Sequence, residues 1–236
     1  MKKTLIFTAT YNELNNVEKL ISEIKNNCPE GNILIVDDNS PDGTGKLLEQ
    51  KSLNDDKLKV VIREKKLGLD TAHKFAYTYA QSDDYDYLIT MDADLSHNPS
   101  EIKNFLECID KNDFVLGSRY MIGGKNRINL FRYLLSFFGN KFIKNLLNLK
   151  CTEYTSSFRA FNLKKMSSFD LNIINSKGYS FFMETIYQIN RLGYNIVEIP
   201  IIFEHRFKGK SKIPKIELFR TLLNVFRLFL TKNKLL

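Results

Sequence analysis

Short apolar runs alternate with stretches of helical spacing through the first half of the chain. Leu5 to Thr8 is such a run, and apolar residues from Leu14 to Ile24 recur at three and four. Ile33 to Val36 is β-branched, Lys59 to Ile62 reads as a third strand, and a helical segment follows around Thr71 to Ala80. Tyr87 to Met91 is the next strand, and a helix begins at Pro99, where a missing N–H is no loss in a first turn. Phe114 to Gly117 closes the series. Strands alternating with helical stretches predict a mainly parallel α/β sheet flanked by helices. Such sheets bind ligands beyond the carboxyl ends of their strands.

The residues at those ends carry the chemistry. After the first strand comes "TATYNE", after the second "VDDNSPDGT", after the fourth "MDADLS" and after the fifth "GSRY". Tyr11, Glu13, Asp37, Asp38, Asp92, Asp94 and Arg119 are thereby expected along one edge. Residues two apart on a strand share a face, with Cα atoms roughly 6.5 Å apart, so Asp92 and Asp94 are expected to point together. Two ionised carboxylates about 4 Å apart repel by up to ~4 kcal/mol at an effective dielectric near ~20. A divalent cation removes that penalty, and carboxylate with water and phosphate oxygens is the ligand set of Mg²⁺ or Mn²⁺. A D-x-D pair is common by chance; its place at a strand end gives it weight. No G-x-G-x-x-G follows the first strand and no G-x-x-x-x-G-K-[ST] occurs, which argues against dinucleotide and P-loop chemistry.

Charge placement adds a second theme. The net charge is +8, and residues 119–150 carry seven Lys/Arg and no Asp/Glu. Residues 204–236 carry nine Lys/Arg and two Glu. A basic second half suggests an anionic membrane, nucleic acid or phosphorylated substrates. Phe131 to Leu149 has helical periodicity; Arg132 and Ser136, four apart, lie side by side on it, though Phe131, Leu134, Leu135, Phe138 and Phe142 also suit an ordinary core helix. Near the end, Arg220, Asn224, Arg227 and Thr231 form a narrow polar stripe among apolar residues. The segment is too interrupted to span a bilayer and suits a helix lying in the interface, or one packed on the domain. The division expected is a catalytic domain over 1–212 and an amphipathic helix over 213–236. Cys28, Cys108 and Cys151 have no metal or disulfide spacing and read as reduced thiols. Met1-Lys2-Lys3 runs straight into a strand, so no signal peptide is expected.

The motifs "ATYNE", "VDDNSPDGT", "KLGLDTAH", "MDADLSHNP", "GSRY", "TSSFRAF", "KGYSFFMET" and "EIPIIFEHRFKGKSK" stand in one order. This ordered set resembles the family 2 glycosyltransferases, and among them most the dolichol-phosphate (polyprenol-phosphate) mannosyltransferases. The resemblance covers roughly Thr4 to Lys212. It implies a GT-A fold and an inverting transfer of mannose from GDP-mannose to a polyprenyl (dolichyl) phosphate, dependent on Mg²⁺ or Mn²⁺. By position it places Ala9, Tyr11, Glu13, Val36 and Asp38 around the nucleoside and Asp92 and Ala93 on the nucleotide. Asp94 would bind the metal, with Ser96 as a second metal-side position. Arg119, Lys177, Arg206 and Lys212 would surround diphosphate and sugar, and Arg119, Arg132 and Ser136 match acceptor-phosphate positions. The sequence departs from the pattern at Ala9 (usually proline), at Asp70 (the second glycine of G-L-G), at Ser157 (glycine), and at Ser96, where some relatives carry Gln.

A lipid phosphate is anionic at neutral pH and needs no strong general base, unlike a sugar hydroxyl. The demands on the protein are to orient two anions and neutralise the departing diphosphate, which metal and Arg/Lys do electrostatically. The expected partners are the nucleotide sugar, the polyprenyl phosphate, an anionic membrane surface on the cytosolic side and a membrane protein. The alternatives are a UDP-glucose or other nucleotide-sugar donor, transfer to a glycan hydroxyl, and a non-catalytic anionic-lipid-binding protein. Nucleic acid is disfavoured, because acidic strand ends lack the aromatic stacking beside positive charge that it requires.

Overall fold

A computed structural model describes residues 2–127, 130–208 and 216–232, without the side chains of residues 132, 216–218, 231 and 232. Lys212, expected at the diphosphate, lies outside the described residues, as does the side chain of Arg132.

The alternating pattern folds as read. Strands β1 (Thr4–Thr10), β2 (Asn32–Asp37), β3 (Leu58–Ile62), β4 (Tyr87–Thr90) and β5 (Phe114–Ser118) are interleaved with helices α1 (Val17–Asn27), α2 (Thr44–Ser52), α3 (Leu69–Ser82) and α4 (Ile102–Ile109). Then come the short β6 (Lys125–Asn126), α5 (Leu130–Leu147), β7 (Arg159–Asn162), α6 (Ser180–Arg191), β8 (Ile196–Pro200), β9 (Ile202–Phe203) and α7 (Ile216–Lys232). The main sheet has the order β3-β2-β1-β4-β7-β5-β8, with β6 and β9 paired separately. β5 does not close the sheet: β7 inserts antiparallel between β4 and β5, and β8 adds parallel outside β5.

Burial on both faces explains the continuous apolar runs. Leu5, Phe7, Leu34, Val36, Leu88, Phe114 and Leu116 face one core, with α3, α6 and α7. Ile6, Ile33, Ile35, Ile89 and Val115 face the other, with α1 and α4. A strand buried on both sides leaves only its ends for polar work. At Gly68 the backbone takes φ +95°, which favours glycine, and its N–H donates to Asp38 at 2.8 Å.

Candidate active site

The carboxyl ends of β1, β2 and β4 open into a cavity of about 430 Å³. Ala9, Tyr11, Glu13, Asp38, Asp92, Ala93, Asp94, Lys177 and Arg206 all line it. The structure therefore brings together nine of the residues the sequence singled out, from segments as far apart as the first strand and the loop after β9.

On the β2 side, Asp38 is buried and accepts from Arg63 Nη1 at 2.9 Å as well as from the Gly68 amide. Asp37 does not join the cavity. It is fully buried and spends its oxygens on Thr10 Oγ1 (2.7 Å) and on the amide and hydroxyl of Ser40 (2.8 and 2.6 Å). The expected ring of acids loses this member to turn formation. Val36, expected at the nucleoside, is likewise 1% exposed within the core and does not line the cavity. Lys66 closes one wall, its Nζ 3.7 Å from the centre of the Tyr11 ring.

The D-x-D segment differs from its strand reading. β4 ends at Thr90, so Asp92 and Asp94 lie in the turn beyond it, where Leu95 takes φ +62°. They share the cavity but not an environment. The Asp92 side chain is 44% exposed, held by Ser157 Oγ at 2.5 Å, and its backbone N–H donates to His97 Nδ1 at 3.1 Å. The Asp94 side chain is 4% exposed and pairs with Arg206 Nη1 at 2.7 Å. Its other oxygen accepts the Ser96 amide at 3.0 Å and the Ser96 hydroxyl. Ser96 itself is fully buried behind Asp94 rather than lining the cavity. Arg206 is delivered by the segment after β9: Glu204 N–H donates to Ser96 O and Phe207 N–H to Asp94 O. His97 is buried between Phe158 and Phe203, and burial lowers its pKa. A neutral ring with Nδ1 accepting fixes the turn without adding charge.

Arg119 does not line the cavity. Its Nε donates to the fully buried Glu153 at 2.7 Å and Nη2 to Thr155 Oγ1 at 3.0 Å. Burial opposes charge on both partners, and each restores the other: the Arg119 pKa is raised and the Glu153 pKa lowered. Arg119 also stacks near Phe203 and Tyr120, and Tyr120 reaches α5 through Tyr133 and a side-chain bond to Ser136. Arg119 is thus linked through Tyr120 to Ser136 on α5.

Several lining residues were not among the expected site residues. His73 sits among Phe7, Phe181 and Phe182, where burial and then Arg159 push its pKa to about 3. Asp70, where the family pattern has glycine, accepts the Gly178 amide at 3.1 Å and so ties the start of α3 to the loop before α6. Arg220, from α7, also lines it.

Beside this site, α5 and α7 touch, with Phe142 and Phe226 rings 6.2 Å apart. The core-helix alternative for α5 fails at Leu134, Leu135 and Phe142, which are at least 40% exposed, and at Phe131 and Phe138, which are more so. Phe219, Leu222, Leu223, Phe226 and Leu230 of α7 are exposed as well, while Val225 and Leu228 are buried. The α7 stripe stays partly exposed yet makes two contacts with the domain: Arg220 lines the cavity and Arg227, its side chain 42% exposed, pairs with Glu184. No helix among the described residues is long and apolar enough to cross a membrane.

The family model for glycosyl transferase family 2 matches residues 5–168. The chain is 35% identical over 213 residues to an undecaprenyl-phosphate mannosyltransferase of Micrococcus luteus, covering 89% of this chain and 87% of that one. It is 36% identical over 215 residues to a polyprenol monophosphomannose synthase of Mycolicibacterium smegmatis, covering 90% and 81%. Among solved structures it resembles a mannosyltransferase from Pyrobaculum calidifontis in complex with GDP-mannose and Mn²⁺ (TM-score 0.56, 14% identity, 98% of this chain and 64% of that one). It also resembles TarS of S. aureus in complex with UDP-GlcNAc (TM-score 0.61, 17% identity, 96% and 66%). These likenesses identify the architecture as GT-A-like.

Proposed function

This chain belongs to glycosyl transferase family 2 and is a glycosyltransferase; we propose that it moves mannose from GDP-mannose to a polyprenyl phosphate at a membrane surface. The observation that carries the proposal is the cavity at the strand ends, where Asp94 and Arg206 form a charge pair beside Lys177 and Asp92. Such a mixture suits a nucleoside diphosphate bound with a cation. The names of the two relatives support polyprenyl phosphate as acceptor.

Tyr11, Glu13 and Asp38 line the cavity and would hold the nucleoside, with Lys66 over Tyr11. Asp94 would hold Mg²⁺ or Mn²⁺, backed by Ser96. Hard oxygen donors fit such an ion, and among the described residues no group of three His, Cys, Asp or Glu surrounds it. Diphosphate and water would complete the shell. When bound, the cation neutralises charge on the departing diphosphate. Arg206 and Lys177 supply the remaining positive charge from the protein, already oriented before the reaction. The acceptor phosphate is an anion and attacks without a general base, so in-line displacement inverts the anomeric centre. Arg119, Arg132 and Ser136, on the α5 side, would orient that phosphate, and Lys212 would join the donor-side charges.

The exposed apolar faces of α5 and α7 fit the interfacial layer of a bilayer, where each large side chain that becomes fully buried contributes about 1.5 to 3 kcal/mol. Lys141 and Lys144 of α5 add attraction of about 1 kcal/mol each near anionic lipid, less when screened by salt. The test is a thermal-shift panel of GDP, UDP and their sugars with Mn²⁺, followed by transfer of labelled sugar to polyprenyl phosphate. A ligand at a hundredfold excess over its Kd stabilises by ~2.7 kcal/mol. Stabilisation by GDP and GDP-mannose with transfer to the lipid is expected. Stabilisation by UDP ligands alone would replace the donor, and binding without transfer would replace the enzyme with a lipid-binding protein.

A further inference from the structure

Glu184 on α6 is a buried carboxylate that the proposed reaction does not use, 2% exposed. It accepts the Ser176 amide at 2.8 Å and the Asn175 amide at 3.4 Å. Its counter-ion comes from another helix: Arg227 Nη2 of α7 lies 2.7 Å away and also donates to Ser176 Oγ at 3.0 Å. The same turn is held from α3, by Lys74 Nζ on Ile174 O at 2.6 Å and by Asp70 on the Gly178 amide. The residue enclosed by all these bonds is Lys177, which makes none of them and lines the cavity. Arg220, two helical turns before Arg227 and so on the same face, lines the cavity as well.

A buried anion requires a partner, and removing it leaves an uncompensated charge. Here that anion organises the backbone on either side of a cavity cation. We infer that Arg227 is a positioning residue for donor binding: through Glu184 and Ser176 it fixes the turn that presents Lys177, and so makes α7 part of the donor site. The inference rests on the donor reading above.

Titration calorimetry of the full chain with GDP and Mn²⁺ tests it, with UDP run alongside. Arg227→Ala is expected to weaken GDP about tenfold, within the coupling seen for groups sharing one hydrogen-bond network. Arg227→Lys should recover most of the loss, and adding Arg227→Ala to Lys177→Ala should weaken binding no further. Unchanged GDP affinity in Arg227→Ala, or losses that multiply independently in the double variant, would overturn the inference while leaving the donor reading intact. Wild type that binds neither nucleotide, or a Lys177→Ala variant that binds as wild type, removes the donor-side premise and the inference with it. Should Arg227→Ala fail to fold, Glu184→Gln, which keeps an acceptor and removes the charge, enters the same cycle against Lys177→Ala with the same expected outcomes.

Discussion

Replacing Glu153 by Gln should destabilise the protein sharply without touching the nucleotide cavity. Glu153 is fully buried and accepts Arg119 Nε at 2.7 Å, the Thr155 amide at 2.9 Å and the Thr155 hydroxyl at 2.8 Å. The amide side chain would keep the shape but leave Arg119 charged with no counter-ion, in a site that burial already makes hostile to charge. Removing one partner of a buried pair destabilises by about 3 to 5 kcal/mol. At about 2 to 4 °C per kcal/mol for a domain of this size, Tm should fall by roughly 6 to 20 °C. Arg119→Met alone should do comparable harm by stranding Glu153, whereas the double replacement should be far milder than the sum. The pH dependence has a definite sign. The folded carboxyl titrates below its ordinary value of 4.5, so its contribution is fully present above that value and fades as pH falls through the lowered one. Arg119, raised further, stays charged throughout. Urea melts of the four proteins between neutral and acid pH should show the gap between wild type and Glu153→Gln closing below about pH 4.5. A single-variant loss under about 1 kcal/mol, the scale of an exposed pair, would refute the reasoning, as would a gap that does not depend on pH.

Three further outcomes are expected. Asp94→Ala should abolish transfer and erase the Mn²⁺-dependent part of GDP binding measured by calorimetry; retention of that part would remove Asp94 from the metal site. Arg132→Ala should raise the KM for the lipid phosphate at least severalfold while the Kd for GDP stays put, and a shift in the GDP value instead would move α5 to the donor side. Deletion of residues 213–236 should release the protein from anionic liposomes in flotation assays. Because Arg220 lines the cavity and Arg227 holds the Lys177 turn, it should also weaken GDP binding, where the sequence alone predicts an intact nucleotide site. A truncated chain that floats like wild type would place the membrane contact elsewhere.

The alternation of strands and helices in the first half was legible because each strand is a short apolar run bounded by turn residues. Burial on both faces of a parallel sheet demands that composition. The polar strand ends were legible for the same reason, since only there can carboxylates such as Asp38 and Asp92 reach the cavity. β7 was not legible as a strand. It is four residues long, begins with the buried Arg159, and takes its place only by pairing with β4 and β5, which lie at a distance in sequence. Asp37 and Asp38 are adjacent and chemically identical, yet one closes a turn and the other lines the cavity. Helical periodicity shows that α7 has a polar stripe but not which way the stripe faces. Tertiary contact decided that: Val225 and Leu228 entered the core, Arg227 at its edge became the counter-ion of buried Glu184, and apolar side chains such as Phe219 and Leu223 were left outward. Sequence spacing determines which side chains share a surface. Which surface is buried depends on groups that come together only when the chain has folded, because a buried charge is tolerable only beside its partner.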